Sequence, residues 1–209
     1  MSKSHGYNPF HYIQDDKDIL KLITNLIRNT TPKGSQTNDP FWEKSETALL
    51  QALMLYLYHE APEHEQNFTM VMELLRAGDV HEDDDSYVSP LDMLMNRLET
   101  KNPEHIAVKY YHDYHSGSAK TLKSIQITLA ARLEKFNLES LAKMTMTDEL
   151  DLPSLGEKKV ALFALIPDND TSFNFLVSIL YTQIFQQLFY LADHKYGGSL
   201  PVHVHFIMD

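Results

Sequence analysis

The spacing of apolar positions along the chain changes character twice. Behind Asp15 and Asp16, both able to cap a first turn, Ile19, Leu20, Ile23, Leu26 and Ile27 recur at helical spacing and predict a helix to Arg28. Ahead of it, Tyr7-Asn8-Pro9-Phe10 reads as extended or turn-like, because proline pushes the preceding residue out of the helical region. Thr30-Thr31-Pro32-Lys33-Gly34-Ser35 reads as a loop and a domain boundary. Asp39-Pro40-Phe41-Trp42-Glu43 starts a long helix, with Asp as cap and Pro at the first helical position, where no N–H is needed. Its apolar residues Ala48, Leu49, Ala52, Leu53, Leu55, Tyr56 and Tyr58 cover more than one face before Pro62, which predicts a helix central in a bundle.

Further helices are predicted over Phe68 to Leu75, closed by Gly78, and from Ser89-Pro90-Leu91 through Leu98. One more opens at Asn102-Pro103-Glu104 and carries Ile106, Ala107, Tyr110, Tyr111 and Tyr114. A long one runs from Ser118 to Phe136, with Lys120, Lys123, Arg132 and Lys135 on its solvated side, and a short one lies near 138–144. After Asp148 the pattern changes. Residues 160–166 form an unbroken apolar run of strand length, Phe173 to Ala192 a strongly apolar helix, and 202–208 a second strand. Strand, crossover helix and strand make a βαβ unit with parallel strands and a right-handed crossover. The pattern thus predicts a mainly α chain, with a helical bundle between Asp39 and Met146 and a βαβ unit after Asp148.

Composition narrows the chemistry. The 209 residues contain no cysteine, which removes disulfides, thiolate nucleophiles and zinc fingers together. The net charge of −11 disfavours nucleic-acid binding by the whole surface, since phosphate affinity rests on Lys and Arg that displace counterions. Much of the negative charge lies in 60–85, a solvated surface or a face for a basic partner. The first fifteen residues lack the layout of a signal peptide, and no apolar run is read as a membrane span.

In an open parallel sheet, ligands gather at the carboxyl ends of the strands, and both expected strands end in acid: Asp168 and Asp170 after the first, Asp209 after the second. Apolar residues followed by Asp make the pattern of a Walker B strand, whose carboxylate holds the Mg²⁺ of a nucleoside triphosphate; a buried strand also ends in Asp simply to start a turn. A strand as the last element before a terminus marks the chain as an expected piece of a longer protein. A phosphate-binding loop is not found: Gly117-Ser118-Ala119-Lys120-Thr121 has Ala119 and Tyr114 where the glycines belong, so hydrolysis by this chain alone is not expected. His203 and His205 share a strand face, and His112 and His115 lie one helical turn apart. Either pair supplies two metal ligands or ordinary packing and surface histidines. Tyr110, Tyr111 and Tyr114 with Lys109 and Lys120 read as core and rim, or as stacking groups for single-stranded nucleic acid.

The segments Tyr7-Asn8-Pro9-Phe10, Asp39-Pro40-Phe41-Trp42-Glu43, Leu49-Leu50-Gln51-Ala52-Leu53, Lys120-Thr121-Leu122-Lys123-Ser124-Ile125, Ser172-Phe173-Asn174-Phe175-Leu176-Val177 and Val202-His203-Val204-His205-Phe206-Ile207-Met208-Asp209 resemble the TraG/TraD-type coupling proteins of type IV secretion, over essentially the whole chain. The resemblance implies a membrane-anchored hexameric RecA-like ATPase, on the cytoplasmic side, that passes relaxase-bound single-stranded DNA and protein substrates to the secretion channel. Residues 39–148 would then be its all-α domain, which meets relaxosome proteins or secreted substrates, flanked by motor segments 1–38 and 149–209. Asp209 would be the Walker B carboxylate, catalytic and Mg²⁺-binding only in the complete motor, which uses ATP and Mg²⁺; this chain is expected to hold neither and to make no direct membrane contact. A free-standing helical adaptor or regulator, and a module that binds single-stranded DNA directly, are the alternatives.

Overall fold

A computed structural model describes residues 4–31, 40–83 and 86–208. Eight α-helices form among them: α1 (Asp16–Thr30), α2 (Pro40–Glu60), α3 (Phe68–Ala77), α4 (Pro90–Lys101), α5 (Ile106–His115), α6 (Ala119–Arg132), α7 (Glu139–Met146) and α8 (Asn174–Lys195). Asp15 caps α1 with its side chain, and Asn67 caps α3 in the same way. The expected cap of α2, Asp39, lies outside the described residues.

α2 is the axis of the bundle. It packs most extensively on α5 and also meets α1, α3 and α6. Leu49, Leu50, Leu53, Met54, Leu55 and Leu57 are all buried, and each such side chain contributes about 1.5–3 kcal/mol by leaving water. One hydrophobic cluster runs from Tyr7 and Phe10 through α1 and α2 to Phe175, Ile179 and Ile184 of α8. Phe68 and Phe136 stack at its centre, with ring centroids 4.3 Å apart.

The N-terminal segment threads between the helices and is held by polar contacts. Gln183 and Gln187 of α8 donate to the carbonyls of Pro9 and Tyr12 (both 2.8 Å), and the Tyr12 hydroxyl donates to Asp148 Oδ2. Gly6 lies so close to Thr147 that a Cβ there would stand 2.6 Å from the Thr147 carbonyl oxygen. The segment 6–12 therefore ties α8 to the junction after α7.

Three expectations need correction. The fifth helix starts at Ile106 rather than Asn102. Asn102 instead ends α4, and the His105 side chain caps α5 by accepting the Ala107 N–H. The long helix from Ser118 stops at Arg132, where a tight 3-10 turn, Glu134–Asn137, carries the chain into α7. Asn174–Lys195, passed over as a span, is long and apolar enough to cross a membrane by length and composition, because its first eighteen residues carry no charge. Within this fold it is a core helix on one side, packed against α1 and the turn Leu152–Gly156.

The expected βαβ unit is not seen among the described residues. Residues 160–166 and 202–208 adopt no regular secondary structure, and no strand ladder forms among the described residues. A strand is stabilised by hydrogen bonds and side-chain pairs across a ladder, and neither segment lies beside a partner. Period-two alternation nevertheless survives in the second: Val202 and Val204 are half-buried, whereas His203 and His205 face solvent.

Candidate functional site

α4 and α5 are joined by the short turn 102–105, and their outer surfaces enclose a cavity of about 250 Å³. The α4 side is set by a capping box. Ser89 Oγ accepts the Asp92 N–H, and Asp92 Oδ2 accepts the Ser89 N–H at 2.8 Å, so the Asp92 carboxylate is fixed at the first turn. Its other oxygen accepts the Tyr111 hydroxyl at 2.6 Å and lies 3.2 Å from His115 Nε2. Burial pushes Asp92 up, but the Ser89 and Tyr111 hydroxyls and the Ser89 N–H outweigh it and hold the carboxyl below its usual value, with His115 assisting. Burial, then the bond to Asp92, keeps the Tyr111 phenol protonated far above its ordinary range.

Two turns along α4, Glu99 Oε1 lies 3.1 Å from His112 Nε2. Met95 and Val108, both buried, form the apolar lining between these polar ends, and the exposed Tyr87 and Val88 stand at the rim. The Tyr87 ring stacks on His81, with centroids 3.9 Å apart. The cavity thus combines two carboxylates, aromatic and aliphatic walls, and no Lys or Arg.

A second, more open cleft of about 400 Å³ lies between α1 and α8, lined by Lys21, Thr24, Asn25, Arg28, Asn29 and Thr182. Asn25 donates to Thr182 Oγ1 at 2.7 Å, and Lys21 pairs with Asp18 at 3.1 Å. It is the polar and basic counterpart of the acidic cavity on α4 and α5.

Sequence-derived candidates fall unevenly on this framework. Asp209 lies outside the described residues. Asp168 and Asp170 occupy an exposed turn, where Asp170 Oδ1 accepts the Ser172 N–H at 2.8 Å; hydrogen bonding to the Ser172 side chain, and then to its N–H, lowers the Asp170 pKa. The rings of His203 and His205 lie side by side with centroids 4.4 Å apart, but among the described residues no group of three or more His, Asp or Glu is placed to hold a metal. His112 and His115 each meet a carboxylate instead. Tyr111 and Tyr114 are buried in the core, which leaves only Tyr110 of the three tyrosines partly open for stacking.

Ser118 is the N-cap of α6, its Oγ accepting the Thr121 N–H. The Gly117 to Thr121 stretch therefore starts a helix. The pairing of Glu99 with His112, which the sequence reading missed, is created by the α4–α5 packing; only the Ser89-Pro90 helix start hinted at part of it.

No curated protein and no solved structure matches the chain. All of residues 1–209 match the family described as type IV secretory system conjugative DNA transfer. The chain belongs to that conjugative DNA transfer family.

Proposed function

We propose that this protein is the substrate-recognition portion of a conjugative coupling ATPase. In this reading the helical block 39–148 docks relaxase, other relaxosome proteins or secreted protein substrates, and 1–38 and 149–209 belong to a RecA-like motor that drives DNA and protein to the type IV secretion channel. The observation that carries it is the pair of apolar segments, 160–166 and 202–208, that flank α8. Leu165 and Ile207 are 93% and 92% exposed, which is costly for isolated loops and natural for strands whose sheet neighbours lie elsewhere in a motor. Paired there, 160–166 and 202–208 become the parallel strands of a βαβ unit, and Asp209 takes the Walker B position, holding the Mg²⁺ of ATP.

Two measurements test this. In the complete transfer protein, Asp209→Ala removes ATPase activity and transfer; unchanged ATPase activity overturns the assignment of Asp209. Calorimetry with the cognate relaxase gives binding to the purified protein, and no binding overturns the docking role. The basic cleft between α1 and α8 favours a secondary reading in which single-stranded DNA runs past Lys21 and Arg28. Its mark is an affinity that falls steeply with salt and is weakened by Arg28→Ala.

A further inference from the structure

We propose that the cavity between α4 and α5 is a slot for an arginine side chain presented by a basic segment of a protein partner. The inference rests on the docking role of the helical block and names the chemistry by which one part of it recognises a partner. Three features converge. First, the slot is acidic: Asp92 and Glu99 line it, His112 and His115 stand beside them, and no Lys or Arg is among the lining residues described. The exposed acids Glu82 and Asp83 stand in the loop that leads to its rim.

Second, the two carboxylates differ in what they have left to give. Asp92 is saturated by Ser89, Tyr111 and His115 and acts as a fixed wall. Glu99 engages only His112 through Oε1, while Oε2 has no partner among the described residues. The Asn96 side chain, one turn earlier on the same wall, likewise makes no hydrogen bond among the described residues. A guanidinium is a planar fork of five donors that binds a carboxylate through two parallel bonds, so Glu99 with the Asn96 amide oxygen presents the acceptors it needs.

Third, the walls fit the rest of the side chain. Met95, Val88 and Val108 offer an aliphatic surface for the arginine stem, and Tyr87 at the rim offers a ring face for the delocalised cation. Arginine is favoured over lysine because a compact ammonium neither stacks nor binds in bidentate fashion. A cavity of about 250 Å³ has room for one such side chain and not for a folded element, so the partner segment lies across the rim with one residue inserted.

The test uses the purified protein and a fluorescent Gly/Ser peptide carrying arginine, with citrulline and lysine versions as controls. Citrulline keeps the shape and loses the charge. The arginine peptide binds best, and citrulline replacement or Glu99→Gln each weakens binding by about tenfold, the loss of roughly one charge-assisted hydrogen bond. Asn96→Arg, which fills the slot from within, prevents binding. Glu73→Gln removes an exposed acid outside the slot and leaves the affinity unchanged. Thermal melts of each variant establish that Glu99 and Asn96, both on the surface, are not needed for folding.

Equal binding of the arginine and citrulline peptides overturns the slot, as does equal loss from Glu99→Gln and Glu73→Gln, which reduces it to general attraction by an acidic surface. With the cognate relaxase, binding unaffected by Glu99→Gln overturns the slot and leaves the docking role standing. Absence of relaxase binding to the unaltered protein overturns the docking role, while the peptide series still decides the slot.

Discussion

Arg132 sits in the last turn of α6 among Lys120, Lys123 and Lys135, and by spacing it belongs to the solvated side of that helix. In the fold it turns inward. Its Nε donates to Glu46 Oε2 at 2.8 Å, and a second guanidinium nitrogen reaches the Ile27 carbonyl (3.1 Å) and the Thr30 and Thr31 hydroxyls (3.2 and 2.9 Å). The side chains of Arg132 and Glu46 are only 13% and 6% exposed. One arginine therefore satisfies the open carbonyl end of α1, a carboxylate in the middle of the bundle, and the union of three helices. Removing it strands the Glu46 charge. Arg132→Ala is expected to lower stability by about 3–5 kcal/mol, whereas Arg132→Met combined with Glu46→Leu recovers most of that loss. Urea unfolding reads both, as a fall in midpoint at unchanged slope for the single variant. The sequence concealed this residue because a lysine and an arginine leave the same mark in a hydrophobicity pattern, and only the approach of α1 and α2 tells them apart.

Helix starts show the same limit on a larger unit. α1 and α4 were legible because Asp15 and Ser89 are short polar caps followed by apolar periodicity, and the α4 box closes within four residues. α5 was misplaced because its cap is a histidine, a residue whose capping role depends on tautomer and burial. His105 Nδ1 accepts the Ala107 N–H at 3.2 Å, so it must be unprotonated, while Nε2 faces Glu60 at 3.8 Å and the His59 ring stands at 5.4 Å. Burial, reinforced by His59, lowers the His105 pKa against the opposing pull of Glu60 and Asp16; Lys101 also lowers it. The unfolded chain takes up this proton near pH ~6.5, and the folded chain only at lower pH. The His105 contribution is thus fully present above the unfolded pKa and is lost as pH falls through the folded one. Between neutral pH and pH ~5 the melting temperature should drop more for the natural protein than for His105→Asn, which keeps a cap acceptor that does not titrate. Parallel pH profiles of the two proteins would sink the assignment. Since α5 is the helix most extensively packed on α2 and carries Tyr111 and His112, loosening its first turn also loosens the acidic cavity.

At the scale of the molecule, the helices expected from sequence form and the expected βαβ strands do not among the described residues, for one physical reason. The buried face of α8, with Phe175, Leu176, Ile179, Ile184 and Leu188, closes its hydrogen bonds within its own backbone, so periodicity alone specifies it. The runs at 160–166 and 202–208 have the composition of buried strands, but a strand needs neighbours that local sequence does not supply. The result is a set of apolar groups left open: Phe163, Leu165, Ile207 and Met208 are largely exposed, and Phe206 stacks on Phe185 of α8 with centroids 4.5 Å apart. Exposed apolar edges with free backbone groups invite pairing with another chain. The purified protein is therefore expected to self-associate as its concentration rises. Leu165→Glu together with Ile207→Glu should return it to a monomer without lowering its melting temperature, because neither side chain is part of the core. Sedimentation velocity over a concentration series decides the matter. A concentration-independent monomer for the natural protein would show that these edges are already satisfied, and would remove the exposed apolar surface as support for a missing sheet partner. Recovery of a monomer on charging both edges would locate the sticky surface where the strands of a motor sheet would join.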